Sequence, residues 1–503
     1  MKISSLILFL FIAHNSLGQN LNLVKLDKGF SEKYLFAGKT NESTYFFERT
    51  ESFNSKRVLR YNNYGILLSK EKAEVKKYKK ATTYSDNAIV FNNKLLIFGH
   101  TLPRNNVSYW FVVEAELSGK IIKEPIELFA IEGKFSLWAG EINKMTRFKE
   151  IDGKLYFLLC NVFYHEGQKS SFHAVSLDKD LNVNSIFNKK IKDEDRKIIG
   201  MWHPRISKTF ASLIIENSEK EVRFVRIDFE NKQMNLFDLP PLENCEYSRF
   251  INFIVNENEE IIIIRACSEN DKTATLSLLQ FDRNFKLKNN LDIDVSSLLS
   301  YGWYRTGKDI IKNIRLIDFH NINKNLVLSF QYRETRISYS TTKDNHKYVS
   351  DKKRNFEEIF ILAISKTDFN ARWASVINRK QVSSWGFLKA SVEESHYLGV
   401  HIAHKDDKLY YIFNTHKDNA ELPLKTRNDE TWKKKSDSRI MMVEVSGTGV
   451  LSSKMLSNWP GSLYFEKNEL VLDRKSKLSD ARKGSPYFVV EDDGDFKFGY
   501  LIF

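Results

Sequence analysis

Residues 148–187, FKEIDGKLYFLLCNVFYHEGQKSSFHAVSLDKDLNVNSIF, read as two β-hairpins in series. An apolar run ends in the polar turn Asp152-Gly153, an apolar strand follows over 154–160, and a polar loop leads to a second strand over 172–177. The turn Asp178-Lys179-Asp180 then returns the chain into a closing strand. Asn, Asp and Gly tolerate the positive φ that tight hairpin turns demand, so these residues mark the corners. The same plan occurs eight times. The first hairpin of each unit turns at 39–44, Asn92-Asn93, Asp152-Gly153, a faint Ser207-Lys208, 256–259, 321–325, 405–407 and Lys467-Asn468. The second turns at 62–65, Ser118-Gly119, 178–180, 230–232, 282–284, 366–368, Ser446-Gly447 and 492–494. KLLIF at 94–98, KLYFL at 154–158 and KLYYI at 408–412 are one strand written three times.

Equivalent turns recur at about 50–65 residues, with one wider gap, which predicts an all-β fold: a β-propeller of four-stranded blades. Eight repeats are counted, or seven if the faint fourth is misread. One four-stranded sheet cannot bury both of its faces alone, whereas radial stacking buries each against a neighbour. Residues 21–26 are expected to form a strand that joins the last blade. A helical turn is expected near 296–299. Two β-sandwich domains are the alternative fold, but they need a linker or a change of period near the middle of the chain, and neither is visible.

Residues 1–18 read as a signal peptide: Lys2, an apolar core over 6–13, and small residues at the cleavage site Ser16-Leu17-Gly18. The expected mature chain, 19–503, is a single propeller domain that is exported to the periplasm or beyond, in the periphery of the outer membrane or free. It contains no run of the ~20 apolar residues that a spanning helix requires. The net charge of +13 suits anionic partners. It is spread along the chain, which points to a solvated surface and not to specific nucleic-acid binding. Of the three cysteines, Cys160 reads as a small buried side chain, while Cys245 and Cys267 fall at the same end of neighbouring strands, where a disulfide is geometrically open.

In a propeller both hairpin turns of a blade lie at one end of its sheet, and the loops between second and third strands and between blades lie at the other. The long, chemically unusual segments belong to the second set. The loops 331–356 and 414–438 are rich in Lys and Arg, and their tips read as disordered. The connections between blades carry Trp138, Trp202, Trp303, Trp385 and Trp459, several beside polar groups: His203 and Arg205 after Trp202, Tyr304 and Arg305 after Trp303. Repeated aromatics most simply wedge between adjacent blades. Their other reading is a ligand-binding ring in which flat faces stack on sugar or peptide and the charged neighbours orient it.

No nucleophile elbow, zinc-binding helix, phosphate loop or dinucleotide fingerprint is present in the sequence. His396, His401, His404 and His416 lack zinc spacing, and residues 491–495 form a hairpin turn without the calcium-loop register, so no metal or cofactor is expected. Glu141, Asp318 and Glu393 are candidate channel carboxylates for a carbohydrate-active enzyme, which would need paired acids. The repeated Asn/Asp-x-Lys-Leu hairpins, the leader ending Leu-Gly-Gln and the Asn/Lys-rich strands resemble uncharacterised exported β-propeller repeat proteins of Gram-negative bacteria. The resemblance implies a fold and a compartment and no activity. The sequence therefore predicts an exported, non-enzymatic binding or scaffold module for a protein or glycan, with a carbohydrate-active hydrolase or lyase as the alternative.

Overall fold

A computed structural model describes residues 20–25, 34–48, 57–132 apart from 63, 74, 76, 103–106 and 119, 142–163, 170–190, 198–341 apart from 243 and 302–305, 347–386 apart from 380, 400–418 apart from 417, 419 onward only at 438–456, 462–464, 487–492 and 495–502. It is a β-propeller of eight antiparallel sheets in chain order. Two compact units contain them: Lys33–Asn63 with Leu67–Lys312, and Met1–Glu32 with Tyr64–Ile66 and Asn313–Phe503.

The larger unit holds five blades. Blade 1 runs through Tyr34–Lys39, Ser43–Glu48, Arg57–Asn62 and Leu67–Lys72. Blade 2 uses Ala81–Phe91, Lys94–Thr101, Val107–Ala115 and Ile126–Glu132, and the short strand Lys77–Tyr78 adds to its first strand. Blade 3 is Ile142–Ile151, Lys154–Phe163, Ser171–Leu177 and Val183–Lys190, the two hairpins expected from 148–187. Blade 4 is Ile198–Ile206, Phe210–Asn217, Val222–Asp228 and Met234–Asp238. Blade 5 is Tyr247–Val255, Ile261–Ser268, Thr275–Phe281 and Leu287–Asp294, followed by a 3-10 turn at Ser296–Tyr301 and the short helix Gly307–Asn313.

Buried residues collect between consecutive sheets. Tyr45, Phe47, Leu95 and Ile97 join blades 1 and 2, and Phe98, Trp110, Phe129 and Phe157 join blades 2 and 3. Phe172 and Leu213 belong to the core between blades 3 and 4, and Phe224 and Phe253 to that between blades 4 and 5. Every residue of Ile261–Ser268 is buried, because a middle strand of a blade has neighbouring sheets on both of its faces. The faint fourth repeat is a full blade. Its turn is written poorly because it is held from outside: Glu259, in the equivalent turn of blade 5, accepts from Ser207 Oγ (2.9 Å), Thr209 N (2.8 Å) and Thr209 Oγ1 (2.6 Å).

The other unit holds three blades. Blade 6 is Ile314–Ile322, Asn325–Thr341, Lys347–Ser365 and Ala371–Ile377, and blade 7 is His401–Lys405, Lys408–His416, Ser438–Val445 and Leu451–Met455. Ile359, Ile361, Tyr411 and Met441 lie in the core between them. Ser329 Oγ and Tyr411 OH, 2.6 Å apart, add a buried polar link. Blade 8 takes Ser462–Tyr464, Tyr487–Asp492 and Asp495–Ile502 from the end of the chain and Asn20–Lys25 from its start. The N-terminal strand pairs with Asp495–Ile502 from Asn20↔Ile502 to Lys25↔Lys497, as the reading of 21–26 anticipates.

Two expectations need correction. The turn at 492–494 joins the middle strands of blade 8 and not the last two, because the fourth strand comes from the other end of the chain. The expected turn at Lys467-Asn468 lies outside the described residues. The segment 331–356 is not a loop. Blade 6's second and third strands extend as a hairpin whose pairing runs from Arg333↔Phe356 to Thr341↔Lys347. Lengthening an existing ladder adds hydrogen bonds without a new loop-closure cost, and β-formers such as Ile337, Tyr339, Tyr348 and Val349 favour it over a charged coil. Residues 342–346, at the tip, lie outside the described residues.

Candidate functional site

The first strands of blades 2 to 6 carry the buried polar side chains Ser85, Arg147, Arg205, Asn252 and Asp318. A β-bulge recurs on that strand in several blades, at Ser85/Asn87, Trp202/Arg205, Phe250/Asn252 and Leu316/Asp318. A bulge re-aims the side chains that follow it. The residues just past these four bulges are Asn87, Arg205, Asn252 and Asp318, all polar, whereas the bulge at Phe36/Gly38 of blade 1 is followed by glycine.

In the larger unit, Trp202, His203 and Arg205 share the first strand of blade 4. Trp202 therefore lies within a strand and not in the connection before it. It is half buried and packs against the core that contains Phe210, Phe224 and Phe253. His203 has φ of +53° at the irregularity, with its ring 5.9 Å from Phe250. Arg205 is buried, and one guanidinium N–H reaches Asn252 Oδ1 of blade 5 at 3.4 Å. Lys149 of blade 3 donates to the Ile206 carbonyl at 2.7 Å. These groups tie consecutive inner strands together, which positions Arg205 firmly while spending part of its donor capacity.

In the smaller unit, Asp318 and His320 alternate on the first strand of blade 6 and so share one face. Asp318 is buried, and its Oδ2 accepts from His320 Nε2–H at 2.7 Å, which fixes the tautomer with a lone pair on Nδ1. Burial pushes His320 down to about 4. The ring of His404, on the first strand of blade 7, lies 5.0 Å away and tilted by 46°. His404 is held below its ordinary value by desolvation and by its neighbour His320. A carboxylate that orients a neutral imidazole is the arrangement of a general base, and here it sits next to a second imidazole. His404 was singled out within the histidine group and Asp318 among the acids; His320 was missed. The signal for it was Asp-x-His on a strand whose two-residue period places both on one face.

Trp385 lies in the strand Gln381–Gly386, not in a bare connection between blades. That strand pairs with the extended part of Lys347–Ser365, with Lys352 opposite Trp385, and makes the extension three-stranded. Trp138, Trp303, Tyr304, Arg305, Trp459, Glu141, Glu393 and His396 lie outside the described residues, as does Trp432 of the second basic loop. Cys245 and Cys267 form a disulfide with their Cα atoms 5.6 Å apart, and it fastens the start of blade 5's first strand to the end of its second. Cys160 is free and buried, and desolvation pushes its thiol well above the ordinary range. Among the described residues, no group of three His, Cys, Asp or Glu side chains is arranged to hold a metal ion. No helix among them is long and apolar enough to cross a membrane.

No protein-family model matches the chain, and no curated protein matches it. Among solved structures it is similar to the WD40 domain of SCAP from fission yeast, at 8% identity over 96% of this chain and 98% of that one, with a TM-score of 0.41. It is also similar to an ulvan lyase of a polysaccharide lyase family, at 10% identity over 87% and 94%, with a TM-score of 0.34. A post-proline cleaving enzyme from Rickettsia typhi aligns at 8% identity over 92% and 58%, with a TM-score of 0.36. The similar structures thus include a WD40 domain and enzymes, and likeness at this level selects neither.

Proposed function

We propose that residues 19–503 form one exported β-propeller domain that binds a protein or glycan and holds it without turning it over. The observation that carries this reading is the three-stranded extension of blade 6, the longest prolongation of a blade among the described residues. Long elaborations of a compact repeat are usually functional. Export is supported by the leader pattern, by a first strand that begins at Asn20 just past the expected cleavage site, and by the Cys245–Cys267 bridge, which persists in oxidising compartments. The half-buried Trp202 with buried Arg205 offers a second, smaller contact point of the aromatic-and-cation kind.

A carbohydrate-active enzyme is the second reading, favoured by one observation, the buried Asp318–His320 pair beside His404. One experiment separates the two. The purified mature chain is titrated with neutral and acidic glycans and with envelope proteins, and every mixture is analysed for products. Saturable binding with no product is expected. Product formation that disappears in Asp318→Asn would overturn the binding reading in favour of the enzyme.

A further inference from the structure

The extension of blade 6 sorts its residues by charge. Strand alternation and the pairing register place Arg333, Thr335, Ile337, Tyr339 and Thr341 on one face, opposite Phe356, Arg354, Lys352, Val349 and Lys347. The irregularity between Ser338 and Tyr339 keeps Lys347 and Val349 in step with that face. The third strand adds Gln381, Ser383 and Trp385, opposite Phe356, Arg354 and Lys352. The cations of this face are Arg333, Lys347, Lys352 and Arg354, and the register places no acid on it. On the other face Arg336 and Lys353 are balanced by Glu334 and Asp351. The basic excess of the segment therefore belongs to one side of the sheet, which also holds Tyr339 and Trp385.

From this placement we infer that the face is a docking surface for a polyanionic polysaccharide, one that carries sulfate or carboxylate groups along its chain. The inference rests on the binding reading above and names its ligand class. Lys352 and Arg354 stand about 6.8 Å apart along their strand, and neighbouring strands are about 4.8 Å apart, so cations and aromatics form a grid on the scale of sugar rings and their substituents. A face on which the register places several cations and, among the described residues, no acid is complementary to a repeating anion, and it raises the anion's encounter rate as well as its affinity. Tyr339 and Trp385, placed on the same face by the register, are residue types on which a sugar ring stacks and which a bare polycation lacks. Nucleic acid is the competing polyanion, and the disulfide argues for a compartment in which acidic polysaccharide is the commoner one.

The test uses the full mature chain, with dextran sulfate and polygalacturonate as probes, neutral dextran as the uncharged control and single-stranded DNA as the competitor, at about 0.15 M salt, where exposed charges are screened beyond roughly 8 Å. Two double variants remove the same charge from opposite faces: K352A/R354A and R336A/K353A. Thermal melts confirm that both are folded. The wild type is expected to bind at least one acidic polysaccharide, to ignore neutral dextran and to prefer the polysaccharide to DNA. K352A/R354A and Trp385→Ala should each weaken binding roughly tenfold or more, and R336A/K353A by no more than about threefold. Equal losses in the two double variants would overturn the inference by showing that net charge alone acts. Tighter binding of DNA, or no binding of either acidic probe, would overturn it too. If the wild type then still binds a neutral glycan or a protein without product, the binding reading stands and only the ligand class fails; product formation would instead sink that reading.

Discussion

At the scale of single residues, the turns of this chain are the most legible feature of its sequence. Asp178, Asn217, Asn256 and Asp282 each use a side-chain oxygen to accept from the backbone N–H groups two and four positions on, at 2.8–3.0 Å. The residue three positions on takes the left-handed conformation in each case: Leu181, Lys220, Glu259 and Phe285. Two of those four are apolar or aromatic, so it is the Asx oxygen and not the left-handed residue that specifies the corner. Contacts between blades left no comparable mark. His173, in blade 3, stacks on Phe129 of blade 2 with ring centroids 4.6 Å apart, while its nitrogens meet Asn188 Oδ1 at 2.5 Å and Ser171 Oγ at 2.8 Å. Burial pushes it down to about 4 from an ordinary 6.5. The unfolded chain therefore takes up a proton below pH 6.5 that the folded chain refuses until about pH 4. The stability tied to His173 is fully present above pH 6.5 and is lost as pH falls from 6.5 to 4, on the order of a few kcal/mol in total. His173→Gln keeps a donor for Asn188 but does not titrate. Urea unfolding at pH values across that window should show a slope shallower by about one proton in the variant, and identical slopes would refute the assignment.

At the scale of elements, the period of the strands was readable and the fate of a charged segment was not. Composition marked 331–356 as coil because net charge and few aliphatics disfavour a packed core. A strand that prolongs an existing ladder needs no core of its own, because the backbone pairing simply continues from Arg333↔Phe356 to Thr341↔Lys347. The joint between blades 6 and 7 was equally hidden. Trp373, on the last strand of blade 6, donates its indole N–H to the Gly447 carbonyl at 2.9 Å, and Ser375 Oγ donates to the Gly449 carbonyl at 2.6 Å. Gly449 has φ of +85°, and a Cβ placed there would sit 2.7 Å from the Trp373 ring. Nothing in Ser446-Gly447-Thr448-Gly449 announces that a neighbouring blade rests on it. Gly449→Ala is expected to cost about 2–4 kcal/mol, roughly 1 from the left-handed backbone and the rest from the clash with a ring that the blade holds in place. In a Trp373→Ala background the clash vanishes, so the same substitution should cost only about 1 kcal/mol. Purely additive costs in this double-mutant cycle, measured by denaturant unfolding, would contradict the contact.

At the scale of the whole molecule, the repeat number and the blade plan follow from sequence because every blade but the last is built from consecutive strands. The last is built from both ends of the chain, and no local pattern can state that. The reading of 21–26 as a strand that joins the last blade agrees with the pairing of Asn20–Lys25, but the eight hairpin pairs counted in the sequence left no vacancy for it, and the fourth strand of blade 8 was assigned to the wrong end of the chain. What the pairing does for stability follows from its geometry. Six consecutive residues pair with Asp495–Ile502, so removing them leaves that strand an open edge with unpaired backbone groups. If each of about six ladder bonds contributes about 0.5–1 kcal/mol net, deleting 20–25 should cost about 3–6 kcal/mol. Such a loss is a large part of the stability of an ordinary domain. The deletion variant should melt earlier, and hydrogen exchange should rise first along Asp495–Ile502, where the partner strand is missing, before it rises in blade 3, whose four strands are all local. Replacing Val24 with Pro tests the same joint more gently. It removes one donor and disturbs the ladder while leaving the segment in place. It should therefore reproduce the local exchange with a smaller drop in stability. Unchanged protection along Asp495–Ile502 in both variants would mean that the N-terminal strand does not hold the last blade.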